Sequence, residues 1–137
     1  MNIHQLPLTP FRTPFFLANP HVQTILPKFI KLPKPNYQRH LHPDRTGTTQ
    51  VAYDFVFANT DNQPNLDKPL AVMFHGLEGS SDSHYAIAFA HQAHRLGYDA
   101  VIVHFRGCGG VDNTSELDYN AGDTAEAVHM FNLLKTQ

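Results

Sequence analysis

The sequence predicts an α/β fold with an incomplete sheet, and three observations carry that prediction. Residues 70–74 (L-A-V-M-F) and 99–105 (D-A-V-I-V-H-F) are short apolar runs of strand length. Between them Tyr85, Phe89, Ala93 and Leu96 recur at helical spacing until Gly97, so strand, helix and strand follow one another as in a parallel βαβ unit. Upstream, residues 37–42 and 50–58 flank Pro43-Asp44-Arg45-Thr46-Gly47, the turn chemistry of an antiparallel hairpin.

Residues 1–35 hold seven of the ten prolines, among them Pro7, Pro10 and Pro14, together with Phe11, Phe15, Phe16 and Phe29. Too rich in proline for regular structure and too aromatic to stay solvated, the segment is expected to be an arm on the surface of a domain formed by residues 36–137. Within it Asn19-Pro20 places a capping residue and an N1 proline before residues 21–26, which predicts one or two helical turns.

In the second hairpin strand Val51, Tyr53, Phe55 and Phe57 alternate with Ala52, Asp54 and Val56, so an aromatic face is expected to pack inward. Residues 59–68, rich in Asn, Asp and Pro, read as a loop. The run at 70–74 lacks alternation, as a parallel strand buried on both faces would. After the βαβ unit, residues 107–120 form a glycine-led polar loop. Asp123 then opens a capping box with Glu126, and Ala127, Met130, Phe131 and Leu134 supply the apolar face of a final helix. A hairpin followed by βαβα would normally lead into another parallel strand, so the chain is expected to be the front portion of a longer α/β domain.

Composition narrows the function. A chain of 137 residues that is 42% hydrophobic suffices for one ordinary core. A net charge of −2 gives no electrostatic footprint for nucleic acid, and basic blocks that would suit a membrane surface are lacking. No apolar run approaches the roughly 18 residues of a membrane span. The N-terminus has no uninterrupted apolar core of a signal peptide, and Cys108 is the single cysteine, so a cytoplasmic location is expected.

The chemistry concentrates in residues 70–83, L-A-V-M-F-H-G-L-E-G-S-S-D-S. Gly76 and Gly79 allow a sharp turn directly after a strand. Such a turn aims free backbone N–H groups above the sheet, where negative charge developing on a reacting oxygen can be met.

The side chains around it have competing readings. His75 is either a general base or, as its position favours, a histidine bonded to loop backbone. Glu78 orients the loop, contacts substrate, or is a solvated carboxylate. Ser80, Ser81 and Ser83 sit at a helix start, where capping outweighs a nucleophilic role. His84, His91 and His94 offer possible ligand spacing, but Arg95 falls beside His84 and His91 on the helix and opposes a cation, so no metal and no cofactor are expected. Cys108 is a small residue in a crowded glycine loop or a thiol nucleophile.

Several stretches resemble the YheT-like family of α/β-hydrolases, which includes bacterial YheT proteins and eukaryotic esterase and lipase relatives. N-P-H-V-Q-T (Asn19 to Thr24) is similar to that family's N-terminal signature, and H-G-L-E-G-S-S-D-S-H-Y (His75 to Tyr85) to its oxyanion-loop region. H-F-R-G-C-G-G (His104 to Gly110) resembles the loop after its next strand, and A-G-D-T (Ala121 to Thr124) a helix opening.

The resemblance implies an N-terminal part of an α/β-hydrolase fold and a serine hydrolase of small carboxylic esters. Its Ser, Asp and His triad would lie beyond residue 137, the serine in a G-x-S-x-G elbow. What carries over is half an oxyanion hole, the backbone N–H of Leu77 with Gly76 allowing the approach and His75, Glu78 and Gly79 supporting the loop. On this reading the chain alone is inactive, and 70–74 presents an open edge prone to self-association. Two alternatives remain: a module binding an NADP-type nucleotide through Gly76, Gly79 and Arg106, and a non-enzymatic interaction fragment.

Overall fold

A computed structural model describes residues 10, 12–59, 63–64, 67–120 and 122–136. Pro7 and Phe11 of the expected arm, positions 60–62 and 65–66 of the expected loop, Ala121 and Gln137 lie outside the described residues. The chain divides into two compact units, Met1–Lys31 and Leu32–Gln137.

The first unit contains a 3-10 turn at Phe15–Leu17 and helix α1, Pro20–Phe29. Asn19 caps α1 by accepting from the His21 N–H at 2.8 Å, and Pro20 occupies N1, where its missing N–H costs nothing. The helix runs longer than the one or two turns expected, because it absorbs Pro27 in its last turn and ends two residues later.

The second unit is a four-stranded sheet with a helix packed on each face. Strands β1 (Gln38–Pro43) and β2 (Gln50–Val56) form the antiparallel hairpin, in a register that sets Arg39 opposite Asp54. Strands β3 (Leu70–Phe74) and β4 (Asp99–Val103) pair in parallel, and β4 also pairs antiparallel with β2. The order is therefore β1-β2-β4-β3, with β3 at one edge. This is a mixed, open α/β sheet. The strand expected to be buried on both faces is half-buried along its whole length, since an edge strand has a neighbour on one side only.

Helix α2 (His84–Arg95) covers one face and α3 (Thr124–Lys135) the other. Both faces of β2 are consequently buried. Tyr53, Phe55 and Phe57 join Val101, Val103, Phe105 and Met130 on the α3 side, while Val56 joins Ile102, Ala86 and Ala90 on the α2 side. The buried stripe of α2 is Ala86, Ala90 and Ala93; Tyr85 and Phe89 flank it, and Leu96, expected on the stripe, is 56% exposed. Alanine lets the helix axis lie close to the sheet, and Leu96 lies past the last helical residue.

The ends are specific. Gly97, at φ +72°, donates to the His94 carbonyl while Tyr98 donates to Ala93, a Schellman closure that only a residue tolerant of left-handed backbone makes without strain. Asp123 caps α3 by accepting from the Glu126 N–H at 3.0 Å. The other half of the expected capping box is replaced, because the Glu126 carboxylate turns inward to Arg106.

Candidate functional site

At the C-terminal end of β3 the backbone turns within four residues. Gly79 N–H donates to the Gly76 carbonyl at 2.9 Å, and Glu78 takes φ +50°, so Gly76-Leu77-Glu78-Gly79 has the pattern of a type II turn with a non-glycine in its left-handed position. Tyr85, from the first turn of α2, pins it: its hydroxyl accepts from the Gly76 N–H at 3.0 Å.

The steric demand falls on Gly79 rather than Gly76. A Cβ on Gly79 would sit 2.1 Å from the Tyr85 hydroxyl and 3.0 Å from the Gly76 carbonyl oxygen, whereas one on Gly76 would make ordinary contact at 3.7 Å. Leu77 occupies the tip, its side chain 84% exposed. Its N–H, which a type II turn leaves unused, meets no acceptor among the described residues. Glu78 is exposed beside it.

His75 bonds to loop backbone at both ring nitrogens. Nε2 accepts from the Phe105 N–H at 3.2 Å, so Nδ1 carries the proton and donates to the Gly76 carbonyl at 2.7 Å. The ring is buried between Phe105 and Tyr119. With both nitrogens engaged it has no free lone pair to act as a base.

A second histidine, His104 at the end of β4, has the same tautomer. Nε2 accepts from the Ser81 N–H at 3.1 Å and Nδ1 donates to the Ala52 carbonyl at 3.0 Å. Burial pushes its pKa below the ordinary imidazole value, so it is neutral.

Ser81 donates a second time, from its hydroxyl to Asp54 at 2.5 Å. Asp54 in turn receives Nε and Nη2 of Arg39, each at 2.7 Å, and the remaining Arg39 nitrogen donates to the Gly109 carbonyl at 2.7 Å. Burial would raise the Asp54 carboxyl, but the bonds from Arg39 and Ser81 outweigh it and hold it below the usual range.

Between the loops lies an open cleft of about 550 Å³ lined by residues 78–82, 107–110 and Arg39. Ser83 makes no side-chain cap to α2; its hydroxyl instead accepts from the Ser80 N–H, which corrects the expected capping role. Cys108 is half-buried on the cleft, its thiol pushed up by burial and then by the Glu78 charge. His91 bonds the Pro33 carbonyl at 2.8 Å. Among the described residues no group of three or more His, Cys, Asp or Glu side chains could hold a metal ion.

Arg106, on which a nucleotide reading relies, is buried against Asp44, Asp123 and Glu126. Its guanidinium is committed to carboxylates of the fold and does not face a ligand.

Sequence patterning does not single out Arg39, Asp54 and His104 as site residues. One signal for them was present: a lone carboxylate in V-A-Y-D-F-V-F, a strand otherwise apolar on both faces, needs a buried partner.

A hairpin leading into a parallel βαβα arrangement, with a tight turn at a strand's C-terminal end, defines an α/β-hydrolase type of fold. A solved serine hydrolase homologue from Coxiella burnetii superposes with a TM-score of 0.54 at 14% identity, covering 77% of this chain and 48% of that one. Among curated proteins, Escherichia coli (strain K12) "Putative esterase YheT" is 37% identical over 115 residues, 80% of this chain and 32% of its own length. An abhydrolase domain-containing protein of Dictyostelium discoideum is 30% identical over 116 residues, 81% of this chain and 28% of its own length. No family model matches. The chain belongs to the YheT-like α/β-hydrolases, and it spans about a third of the length of the curated relatives it matches. No helix among the described residues is long and apolar enough to cross a membrane.

Proposed function

We propose that the chain supplies one half of the oxyanion hole of a serine-type carboxylic-ester hydrolase, and that the nucleophile, acid and base come from sequence beyond it. The observation that carries this reading is the Leu77 N–H: unpaired among the described residues, at the tip of a turn pinned by Tyr85, at the end of a parallel strand. An N–H so placed is free to turn to a developing oxyanion, because no protein acceptor competes for it. Gly76 and Gly79 shape the approach, with His75 and Glu78 supporting the loop.

Among the described residues no hydrogen bond pairs a hydroxyl near the turn with a histidine. Ser81 is spent on Asp54, and both histidines are occupied. The chain by itself is therefore an inactive N-terminal part of the enzyme, in which residues 1–35 form an arm and 36–137 a partial hydrolase domain. Its substrates in the complete protein are small esters, and its single cysteine fits a reducing cytoplasm.

The test joins the chain to the remaining two-thirds of the Escherichia coli relative and follows p-nitrophenyl ester hydrolysis. Leu77→Pro removes the N–H at a turn position where proline is favoured. It is expected to lower kcat by about 10²-fold or more with KM nearly unchanged, while the unjoined chain shows no turnover. A joined enzyme indifferent to Leu77→Pro, or hydrolysis by the chain alone, overturns the reading.

A further inference from the structure

We propose that Asp54, clamped by Arg39, is the positioning residue for the loops on both sides of the cleft, and that the hairpin thereby sets where the Leu77 amide points. This rests on the oxyanion reading above. The geometry is a single connected network. The two oxygens of Asp54 take Arg39 Nε, Arg39 Nη2 and the Ser81 hydroxyl, and the third Arg39 nitrogen reaches across to the Gly109 carbonyl. Asp54 Oδ2 and His104 Nε2 are both acceptors and stand only 3.7 Å apart, an arrangement that is repulsive unless donors lie between them. Ser81 supplies both donors, its hydroxyl to one and its N–H to the other. Tyr37, next to β1, completes the grip by donating to the Ser81 carbonyl at 2.9 Å.

Ser81 therefore has one placement that satisfies three groups, Asp54, His104 and Tyr37, and it lies four residues after Leu77 in the same loop. Gly109 is fixed from the other side. Its φ is +67°, and a Cβ there would meet the His104 ring at 2.4 Å, so the glycine loop lies directly on the ring that Ser81 holds. The network links residues 76–82 with 107–110 through side chains of β1 and β2 that themselves stay out of the turn.

Ion pairing alone does not account for the arrangement. Charge balance for Asp54 needs one cation, whereas the observed contacts use the planar three-nitrogen geometry that arginine has and lysine lacks.

Amide hydrogen exchange on the ¹⁵N-labelled chain, together with the reaction rate of Cys108 with a disulfide reagent, tests this; Cys108 is the sole thiol, so its signal is unambiguous. Arg39→Lys and Ser81→Ala are the decisive variants, since each retains the buried Asp54, and Asp54→Asn is a third. The expected result is exchange about tenfold faster at Gly79, Ser81 and Cys108 and a several-fold faster thiol reaction, with the amides of Tyr53 and Val101 in the ladder unchanged. A uniform change across loops and ladder, or full rescue by lysine at position 39, means that the pair merely stabilises the fold and overturns the proposal. The oxyanion reading fails separately: a joined enzyme insensitive to Leu77→Pro removes it, even where the loops loosen as expected here.

Discussion

Asp44 and Arg106 meet at 2.6 Å with side chains 0% and 2% exposed, joining the hairpin turn to the end of β4. Asp44 also organises its own turn, accepting from the Thr46 hydroxyl and from the amides of Thr46, Thr48 and Thr49. Burial by itself would raise its carboxyl; the bonds from Arg106, Thr46 and those amides overcome that and hold it at about 2 against an ordinary 3.8. A carboxylate with a depressed native pKa adds stability that is complete above its unfolded value and fades as the pH falls toward the native one. The gap is worth about 2 kcal/mol. Urea titrations of the wild-type chain should show this contribution disappearing between about pH 4 and pH 2. Asp44→Asn leaves Arg106 underpaired in a dry site and should cost about 3 kcal/mol at pH 7, with a flatter acid limb. An acid limb of the same slope in the variant would remove Asp44 from this role.

Much of that architecture was legible. Alternation in β2, the turn residues of the hairpin and the unbroken apolar runs of β3 and β4 each reflect a local constraint, and each predicted element is present. What stayed hidden depends on who lies across from whom. Arg106 reads as a free cation until the fold brings Asp44 and Glu126, 62 and 20 residues away, against it. The Arg39–Asp54 pair is an intermediate case, because counting outward from the Pro43–Gln50 pairing sets them opposite one another. Ser83 misled for a related reason: its residue type suits a cap, yet its hydroxyl is drawn back to Ser80. Half-burial of β3 follows from strand order, which local sequence does not encode.

His104 carries a second, separate pH dependence. Burial lowers its pKa from an ordinary 6.5, so the native state excludes a proton that the unfolded chain binds. Its stability contribution is complete above about pH 6.5 and is lost as the pH falls toward the lowered native value, at most about 1.4 kcal/mol for each unit of pH. Stability measured between pH 7 and pH 5 should decline in the wild type. His104→Gln should lower stability at pH 7 and flatten that decline, and an unchanged slope would show that another group titrates there.

Neighbouring glycines of the second loop should respond differently to one methyl group. Gly109 and Gly110 both have left-handed backbone, φ +67° and +79°. Only Gly109 is also crowded, with His104 atoms at 2.4 to 2.7 Å from a built Cβ, while nothing lies within 4 Å at Gly110. Gly110→Ala should cost about 1 kcal/mol of backbone strain. Gly109→Ala adds displacement of a buried ring and should cost about 3 kcal/mol or more. Equal losses in thermal melts would contradict the packing of the loop on His104.

The edge strand leads to an expectation about association. Among the described residues β3 hydrogen-bonds to β4 alone, and Leu70, Val72 and Phe74 remain half-buried on the core of the α3 face. An apolar edge of this kind templates pairing with another strand. Light scattering on the isolated chain should therefore show concentration-dependent oligomers, and joining it to the remaining part of a relative should abolish them. A monodisperse monomer with a cooperative melt, obtained from the chain alone, would count against an open edge.

Tyr85 and Gly79 offer the sharpest test of the turn itself. The Tyr85 hydroxyl both accepts from Gly76 and fills the space that a Gly79 side chain would need. Tyr85→Phe should cost about 1 kcal/mol and speed exchange of the Gly76 amide, since water replaces the lost acceptor. Gly79→Ala should cost about 2 kcal/mol or more, because a Cβ cannot stand 2.1 Å from an oxygen. Combining them removes the worst contact, so the double variant should be less destabilised than the sum, by about 1 kcal/mol. Rescue stays partial, since the Gly76 carbonyl at 3.0 Å and His75 Cβ at 3.1 Å still crowd the alanine. Strict additivity would mean that the hydroxyl is not where this turn requires it, and the Leu77 amide would then lose its anchor.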